Sequence, residues 1–365
     1  MLKVKSWKKH GVLWGALIYG LGACTPAVDL TTPSAPSAEP SVAASPATPS
    51  TALSDLELPA KSTGTSGSGT VAMPSSPPSV SPAEDDGQAY RLQNILYWRV
   101  QAPDQNGVTG PVSYLVGTVH LNLAEGYQWP ETFQQALTGA DALYLEADTR
   151  EIEQNPQAIL EKTLDPEQTL VQSLDQDTLV QLAQRLSGIG VPPTLIPVLK
   201  PWYVNVLLSA PPEAAVVEAE TVMDNLLRAR AEAANVSVRY LETALAQFEM
   251  MDAIPTAEHV RLIQETLQQP VARSAEQIQE TVSIYNRGDL EALNRAVDEL
   301  KAESMDFYQQ SVVARNATWF ELLQPVLTQE SVVVGVGSLH LVGPDGLLNQ
   351  LEAAGFRVTA SGAIS

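Results

Sequence analysis

Two segments far apart in the sequence carry nearly the same motif. Residues 116–121 read Val-Gly-Thr-Val-His-Leu, and residues 336–341 read Val-Gly-Ser-Leu-His-Leu. Each motif follows a run of β-branched apolar residues, which indicates a buried strand, and each glycine lets the backbone turn or another group approach closely. Ligand crevices form at strand ends in open sheets, so the two motifs predict that His120 and His340 share one site.

The first 23 residues have the layout of a secretory signal peptide. An apolar run from Val12 to Leu21 follows a basic start that contains Lys3, Lys5, Lys8 and Lys9. Such segments are removed on export, and this run is shorter than the ~20 residues that a transmembrane helix needs. The run ends in Leu21-Gly-Ala-Cys24, which matches a bacterial lipoprotein signal, and Cys24 is the only cysteine in the chain.

We expect the mature chain to begin at a lipid-modified Cys24, because several acyl chains on one residue anchor a protein stably. The prediction is therefore an exported protein, anchored by lipid at the bacterial cell envelope, with its domain outside the cytoplasm. The alternative is an ordinary cleaved signal peptide in which Cys24 is incidental.

Residues 24–87 are predicted to form a disordered tether. They are rich in proline, serine, threonine and alanine and contain no aromatic residue, so they cannot bury enough apolar surface to offset the entropy of ordering. Residues 88–365 are long enough for a substantial core and are predicted to form the folded domain.

The charge balance excludes one class of partner. The chain has 21 Lys and Arg against 42 Asp and Glu, a formal net charge of −21 at pH 7. Nucleic-acid binding needs a basic footprint, so no nucleic-acid partner is expected.

The hydrophobic pattern predicts strands at both ends of the domain and helices between them. A strand at Ser113–His120, a helix from Trp129 to Leu137 and a strand at Ala142–Glu146 suggest a parallel pair with a crossover. Further strands are expected at 91–100, 236–242, 332–336 and 356–359, and helices within 153–234 and at 257–268, 275–286, 290–309, 311–327 and 345–354. The expected fold class is α/β (α+β), a mixed central sheet built from N- and C-terminal strand units with a large helical insertion.

Carboxylates accompany the two histidines. Tyr144-Leu-Glu146 and Tyr240-Leu-Glu242 repeat one tripeptide, each at the end of a predicted strand. Imidazole and carboxylate ligands suit a divalent ion such as Zn, Mn or Co, which would activate a water molecule beside a general base. Two alternatives stay open. Histidine and glutamate could activate water without a metal, or both histidines could be structural caps of the strands.

Two other residues, His259 and Arg315, are weaker candidates for the site. His259 lies near the start of a predicted helix, where a solvated face is the expected position. Arg315 is either an exposed helix residue or a clamp for a substrate carboxylate or oxyanion. The chain has no His-Glu-x-x-His helix, no P-loop and no Gly-x-Ser-x-Gly motif.

These residues together resemble the TraB/GumN family, which is related to the Tiki proteases of animals. The resemblance covers about residues 90–360 and is carried by the two Gly-x-x-His motifs. It is supported by Leu143-Tyr-Leu-Glu146, Tyr240-Leu-Glu-Thr243 with Gln247, Ala314-Arg-Asn316, and Gly343-Pro-Asp-Gly346 with Gly355-Phe-Arg-Val358.

The resemblance implies a mixed-sheet α/β domain and a metal-dependent hydrolase, a peptidase in particular. Carried over to this chain, the implied metal ligands are His120, His340 and Glu146, and the implied catalytic groups are Glu146, Glu242 and Arg315. The chain departs from the family at Glu220-Thr-Val-Met-Asp224, where a Gly-Leu/Ile-Asp segment is common, which leaves the role of Asp224 open.

Two hypotheses about function follow. The first is a membrane-tethered hydrolase that uses a divalent ion, Mn, Co or Zn, to cut peptides at the cell envelope. The second is a non-catalytic envelope protein that binds a peptide or a small metabolite in the same crevice. Metal-dependent turnover would distinguish them.

Overall fold

A six-stranded mixed sheet forms the centre of the part of the chain that the structure describes. Its strands are β1 Leu96–Gln101, β2 Val112–Thr118, β3 Ala142–Leu145, β4 Ser237–Tyr240, β5 Val332–Gly337 and β6 Arg357–Gly362, in the spatial order β4-β3-β5-β2-β1-β6. β1 pairs antiparallel with β2 and β6, whereas β2, β5, β3 and β4 form a parallel block.

The structure is a computed structural model that describes residues 91–104, 107–167, 169–209 and 221–362, and all of these belong to one compact unit. The predicted signal peptide, Cys24, the predicted tether and its boundary with the domain at residues 87 and 88 all lie outside the described residues. Within those residues, no helix is both long enough and apolar enough to cross a membrane.

Helices fill every connection between consecutive strands except that from β1 to β2. They are α1 Glu131–Thr138, α2 Arg150–Gln154, α3 Pro156–Thr163, α4 Thr169–Ser173, α5 Gln176–Ser187, α6 Pro201–Ser209, α7 Met223–Ala233, α8 Ala244–Ala253, α9 Thr256–Leu267, α10 Ala272–Arg287, α11 Leu290–Glu303, α12 Met305–Tyr308, α13 Arg315–Leu327, α14 Ser338–Leu341 and α15 Leu347–Ala353. A π-helix, Gln309–Ala314, joins α12 to α13, and a 3-10 turn spans Ile196–Val198.

The parallel block places the two histidine motifs side by side. All six residues of β5 are buried, as expected for a strand covered on both faces of a parallel sheet. β5 pairs directly with β2, and their register puts Gly117 opposite Val336 and Thr118 opposite Gly337. The two Val-Gly frames are therefore neighbours, offset by one residue. The predicted mixed sheet built from both ends of the domain, with a helical insertion, is confirmed.

One detail of the predicted topology is wrong. β2 and β3 run parallel, but they do not pair, because β5 lies between them and pairs with both. β5, the most apolar of these strands, lies between the other two. A strand in that position has a neighbour on each edge and is covered on both faces, so it is the most deeply buried. Local sequence around β2 and β3 contains no sign of this insertion.

The helical region differs from the prediction at two places that matter for the site. The predicted break between helices at residues 309–311 is instead a π-helix, and the real break lies at Ser304, whose hydroxyl caps α12. Directly after β5 lies the short helix α14, which the hydrophobic pattern did not predict and which carries His340.

His259 is buried, so its predicted position on a solvated helix face is wrong. Its ring lies between α6 and the end of α8. Asn205 Nδ2 donates to the ring Nδ1 at 3.2 Å and the ring Nε2 donates to the Met251 carbonyl at 2.9 Å. Burial lowers the pKa of His259, which keeps the ring neutral. The His259 ring therefore links helices α6 and α8.

Candidate active site at the strand ends

Five polar side chains meet at the C-terminal ends of the four parallel strands. His120 follows β2 by two residues, Glu146 follows β3 directly, and Glu242 follows β4 by two residues. His340 lies in α14, immediately after β5, and Arg315 reaches the same place from the start of α13. These ends lie at one edge because the strands are parallel. All five residues that the sequence singled out for this site come together.

His120 forms an ion pair with an aspartate of α7. The ring Nδ1 lies 3.1 Å from Asp224 Oδ2, and Thr118 Oγ1 donates to the other oxygen, Asp224 Oδ1, at 2.9 Å. Burial alone would lower the pKa of His120, but the Asp224 carboxylate outweighs it and raises that pKa to about 9. In the absence of another cation, His120 is therefore an imidazolium at neutral pH, with Nδ1 directed at Asp224.

Glu146 is a buried, ionised carboxylate. The Gly337 N–H donates to Glu146 Oε1 at 2.7 Å, and Arg315 Nη2 donates to Oε2 at 2.6 Å. Burial by itself would raise the pKa of Glu146, but the guanidinium of Arg315, helped by neighbouring histidines, lowers it to about 2. A carboxylate with so low a pKa suits a ligand or an ion-pair partner better than a general base.

Arg315 bridges both glutamates and the second histidine. Its Nη2 donates to Glu242 Oε1 at 2.5 Å as well as to Glu146, and its Nη1 lies 3.1 Å from His340 Nε2. The guanidinium also stacks 4.5 Å from the Trp319 ring. Burial would lower the pKa of Arg315, but the two carboxylates raise it. The side chain is 10% exposed, so the alternative of an exposed helix arginine is wrong.

Asn316 fixes the tautomer of His340. The Asn316 amide nitrogen donates to the carbonyls of His340 and Asp345, at 3.0 and 2.9 Å, so its oxygen must be the atom 2.7 Å from His340 Nδ1. The ring therefore carries its proton on Nδ1 and accepts from Arg315 at Nε2. Burial, followed by the charge of Arg315, lowers the pKa of His340 to about 3. His340 is neutral at any physiological pH.

The motif glycines permit the close packing that forms the site. A Cβ on Gly117 would lie 3.1 Å from the Ser338 Cβ, and a Cβ on Gly337 would lie 3.3 Å from Glu146 Oε1. Ser338 also donates to the Thr118 carbonyl at 3.1 Å. The close approach predicted for these glycines is therefore present, and it brings α14 against the end of β2.

The two Tyr-Leu-Glu segments are also neighbours. β3 pairs with β4 so that Leu145 lies opposite Tyr240, again offset by one residue. The Glu242 N–H donates to the Glu146 carbonyl at 2.9 Å, and Gln247 Nε2 donates to Glu242 Oε1 at 2.9 Å. The main chain of Glu242 is thus fixed by its hydrogen bond to Glu146, and the Glu242 carboxylate is fixed by Gln247 and Arg315.

A π-helix immediately precedes Arg315. Residues Gln309–Ala314 form it, and Arg315 Nη1 donates back to the Ser311 carbonyl at 3.3 Å. π-helical turns are rare and concentrate at functional sites because they change which side chains face a given direction. Here the π-helix ends immediately before Arg315 and Asn316, which contact Nε2 and Nδ1 of the His340 ring.

The donor chemistry of the two histidines fits a divalent ion. Both rings use Nδ1 for a side-chain partner, Asp224 for His120 and Asn316 for His340, which leaves Nε2 as the atom to coordinate a metal. Carboxylate or amide partners behind metal-ligating histidines are the usual arrangement. The ionised Glu146 would supply an oxygen ligand.

Arg315 nonetheless already contacts two of these candidate metal-binding atoms. Among the described residues, no group of three or more His, Cys, Asp or Glu side chains is placed to hold a metal ion. Arg315 donates to Glu146 Oε2 and faces His340 Nε2, so the two atoms that would bind an ion are already paired with a guanidinium. Metal binding by His120, His340 and Glu146 stays a prediction.

Sequence reasoning left two important residues without a role. In the sequence, Asp224 stands out only as a departure from a family segment, and Asn316 only as part of a motif. An acidic residue in the first turn of a helix was a visible signal for Asp224. The signal for Asn316 was its position next to Arg315, although adjacent residues on a regular helix point about 100° apart.

A cleft lies away from these strand ends. It is formed mainly by α5, α6, α9 and α10, and its lining includes Arg185, Asn205, Glu265 and Arg273. It contains none of the residues predicted for the site, and it lacks a buried ionised carboxylate beside a neutral histidine. The strand-end site is therefore the better candidate for chemistry.

Comparison with known proteins gives one family. The model of the TraB/PrgY/gumN family matches residues 96–360, well over half of the chain. A Shigella flexneri protein described as "Uncharacterized protein YbaP" is 25% identical over 241 residues, which span 66% of this chain and 88% of that protein. No solved structure matches significantly.

Proposed function

The chain belongs to the TraB/PrgY/gumN family, and from this membership together with the converging strand ends we propose that it is a hydrolase that cuts peptides at the cell envelope. The observation that carries the proposal is the meeting of His120, Glu146, Glu242 and His340 at one edge of four parallel strands. Acidic and basic groups with strongly separated pKa values are typical of hydrolytic sites.

A divalent ion, Mn, Co or Zn, is the proposed cofactor, with His120, His340 and Glu146 as its ligands. When bound, such an ion polarises a carbonyl oxygen and lowers the pKa of water. Asp224 and Asn316 contact the Nδ1 atoms of the two rings, which would leave each Nε2 for the ion. Glu146 is ionised near neutral pH and would bind without losing a proton. His120, an imidazolium at neutral pH in the metal-free chain, would have to release its Nε2 proton to become a ligand.

Glu242 and Arg315 are proposed to supply the remaining catalytic roles. Peptide hydrolysis requires a base to take a proton from water as the oxygen attacks the carbonyl carbon, and an acid to protonate the departing amine as the C–N bond breaks. Glu242 is the proposed base, and the proton that it takes from water is the one it would pass to the departing amine. Arg315 is the proposed partner for the negative charge that develops on the carbonyl oxygen.

Turnover should be tested on the whole mature chain. The chain is stripped with EDTA, resupplied with Mn, Co or Zn, and incubated with a mixed peptide library whose products are identified by mass spectrometry. We expect cleavage that His120→Ala, His340→Ala and Glu146→Gln each reduce at least 100-fold. Glu249→Gln, which removes an exposed carboxylate paired with Lys162, is the control and should leave turnover unchanged.

The same experiment tests the competing function. Peptide retention without cleavage, at any metal concentration, and its loss in His120→Ala would contradict the hydrolase proposal. That outcome would support a non-catalytic envelope protein that binds a peptide or metabolite in this crevice.

We also propose that lipid on Cys24 anchors the chain at the envelope. Several acyl chains on one residue bind a bilayer stably, whereas the tether has no apolar segment for this purpose. The chain expressed in a bacterium should sediment with membranes, and Cys24→Ala should move it to the soluble exported fraction. Membrane sedimentation of both proteins alike would contradict the anchor.

A further inference from the structure

We propose that the cleft between α5, α6, α9 and α10 is a separate binding site, which takes a free amino acid with an aliphatic side chain. The cleft lies away from the strand ends and contains none of the groups proposed for hydrolysis. The inference goes beyond the proposed function and does not depend on it.

The size and the mixed lining of the cleft suit a small ligand that carries both charges. The empty space between its side chains, counted out to the open mouth, is about 610 Å³, which is within the range of ligand pockets. Its charged side chains are two arginines and two glutamates, although the whole chain has twice as many acidic as basic residues. Leu208, Leu262 and Pro270 add apolar surface. An aliphatic amino acid matches all three properties of this lining.

Arg185 is the group that would bind the ligand carboxylate. Its Nη2 donates to the Gln269 carbonyl at 2.7 Å, and no carboxylate pairs with it among the described residues. Burial lowers the pKa of Arg185 and no acidic neighbour opposes this effect, yet an arginine keeps its charge. Arg261 and Arg273, in contrast, each pair with a glutamate. A half-buried guanidinium with unused N–H groups suits a planar carboxylate.

Two oxygen atoms of the lining would bind the ligand ammonium group. Asn205 is 6% exposed, and its Nδ2 donates to the ring and to the carbonyl of His259 at 3.2 and 3.0 Å. A carbonyl only accepts, so the remaining amide atom is the oxygen, and no described group donates to it. Glu265 Oε1 accepts from Arg261 at 2.7 Å, but Glu265 Oε2 has no partner in the described part of the chain. An ammonium group supplies three donors for such acceptors.

Gln277 is a further polar group of the cleft that the fold itself does not use. The residue is 9% exposed, and its side-chain amide makes no hydrogen bond within the residues that the structure describes. Buried side-chain amides are usually hydrogen-bonded within the fold. This amide can donate to a carboxylate or accept from an ammonium group, so it suits either end of an amino acid.

Calorimetry with L-leucine on the EDTA-treated mature chain tests the site. The matched probes are 4-methylpentanoate, which lacks the ammonium group, and 3-methylbutylamine, which lacks the carboxylate. We expect leucine to bind about 10-fold more tightly than either probe, because each probe leaves one set of charge-assisted hydrogen bonds unmade. Equal binding of leucine and 4-methylpentanoate would overturn the assignment of an amino acid. No binding of L-leucine, L-valine or L-methionine would overturn the site itself.

Substitutions in the cleft identify where leucine binds. Arg185→Met and Glu265→Gln should each weaken leucine binding about 10-fold, because each removes one charged partner. The controls are Arg295→Met and Glu291→Gln, which remove the two halves of an exposed ion pair outside the cleft. Both controls should bind leucine as the parent does. Parent-like affinity in Arg185→Met would overturn the inference.

Gln277→Met keeps the test decisive if a charge variant folds poorly. The Gln277 side chain has no hydrogen bond to lose, so we expect this variant to keep the Tm of the parent while its leucine affinity falls about 3-fold. Unchanged affinity in this variant would count against the cleft.

A last comparison separates the cleft from the strand-end site. His120→Ala should bind leucine as the parent does, because His120 does not line the cleft. Loss of leucine binding in His120→Ala would place the amino acid at the strand ends and overturn the inference. None of these measurements requires turnover, so the hydrolase proposal is tested separately.

Discussion

At the scale of single residues, the chemistry of the site depends on the neighbours that fix the protonation state of each histidine ring. His120 and His340 have nearly the same local sequence, yet Asp224 raises the pKa of the first to about 9 while burial beside Arg315 lowers the pKa of the second to about 3. The pair therefore consists of one charged and one neutral imidazole at pH 7.

Asp224→Asn should lower the pKa of His120 from about 9 to below its ordinary value of 6.5. The reason is that burial, which opposes the charged ring, would no longer be outweighed by the carboxylate. An NMR titration of the His120 ring protons in EDTA measures the change directly. Asp148→Asn, which alters a carboxylate paired with Arg150 instead, should leave the titration of His120 in place.

The sign of the accompanying stability change follows from linkage. A histidine whose pKa is raised on folding stabilises the folded chain fully below its unfolded pKa, about 6.5, and this stabilisation disappears as the pH rises through 9. The stability difference between the parent and Asp224→Asn should therefore be largest near pH 6 and shrink toward pH 10. A difference that grew with pH would contradict the ion pair.

At the scale of elements, the site depends on how closely α14 packs against the end of β2. Gly117 is the contact point, since a Cβ there would meet the Ser338 Cα at 3.2 Å and the Leu341 Cδ1 at 3.3 Å. Tyr285 adds a restraint from α10, because its hydroxyl donates to the Gly117 carbonyl at 2.6 Å. The separation between the two histidines is therefore set by backbone packing.

Gly117→Ala should reduce the free energy of unfolding by about 1–3 kcal/mol, the usual cost of adding a methyl group to a closely packed site. Urea denaturation measures this value. Gly188→Ala is the control, because Gly188 has ordinary helical angles, φ −62° and ψ −23°, at the end of α5. It should change stability far less. Equal effects of the two substitutions would show that the packing of α14 is loose.

At the scale of the whole molecule, the pH dependence of unfolding reports on histidines that are buried while neutral. His259 is one of them, held between the Asn205 amide and the Met251 carbonyl. Its ring Nδ1 is an acceptor there, so a second proton would face the Asn205 N–H group. Burial lowers the pKa of His259 in the folded chain.

The stability that neutral His259 provides is present above its unfolded pKa, about 6.5, and is lost as the pH falls below that value. His259→Gln removes the titrating group, so its Tm should fall less steeply between pH 7 and pH 5 than that of the parent. Differential scanning calorimetry at a series of pH values checks this. Parallel Tm curves for the two proteins would mean that His259 does not contribute to acid destabilisation.

The amino-acid sequence by itself determined where the residues of the candidate site would meet. The β-branched runs before Gly117 and Gly337 identify strands, and the carboxyl ends of parallel strands converge at one edge whatever their order. For this reason His120, His340, Glu146 and Glu242 could be assigned to one site from local patterns. The mixed sheet with its helical insertion followed from the same alternation of strand and helix patterns.

Only the tertiary structure decided how those groups are partnered. The position of β5 between β2 and β3, the burial of Arg315 and His259, and the contacts of Asp224 and Asn316 all join residues distant in sequence. Such contacts depend on which helix faces pack together, and the energies that select among them are small differences between burial and pairing. A local pattern identifies the residues at a strand end, but the pairing of their charges is a property of the packed chain.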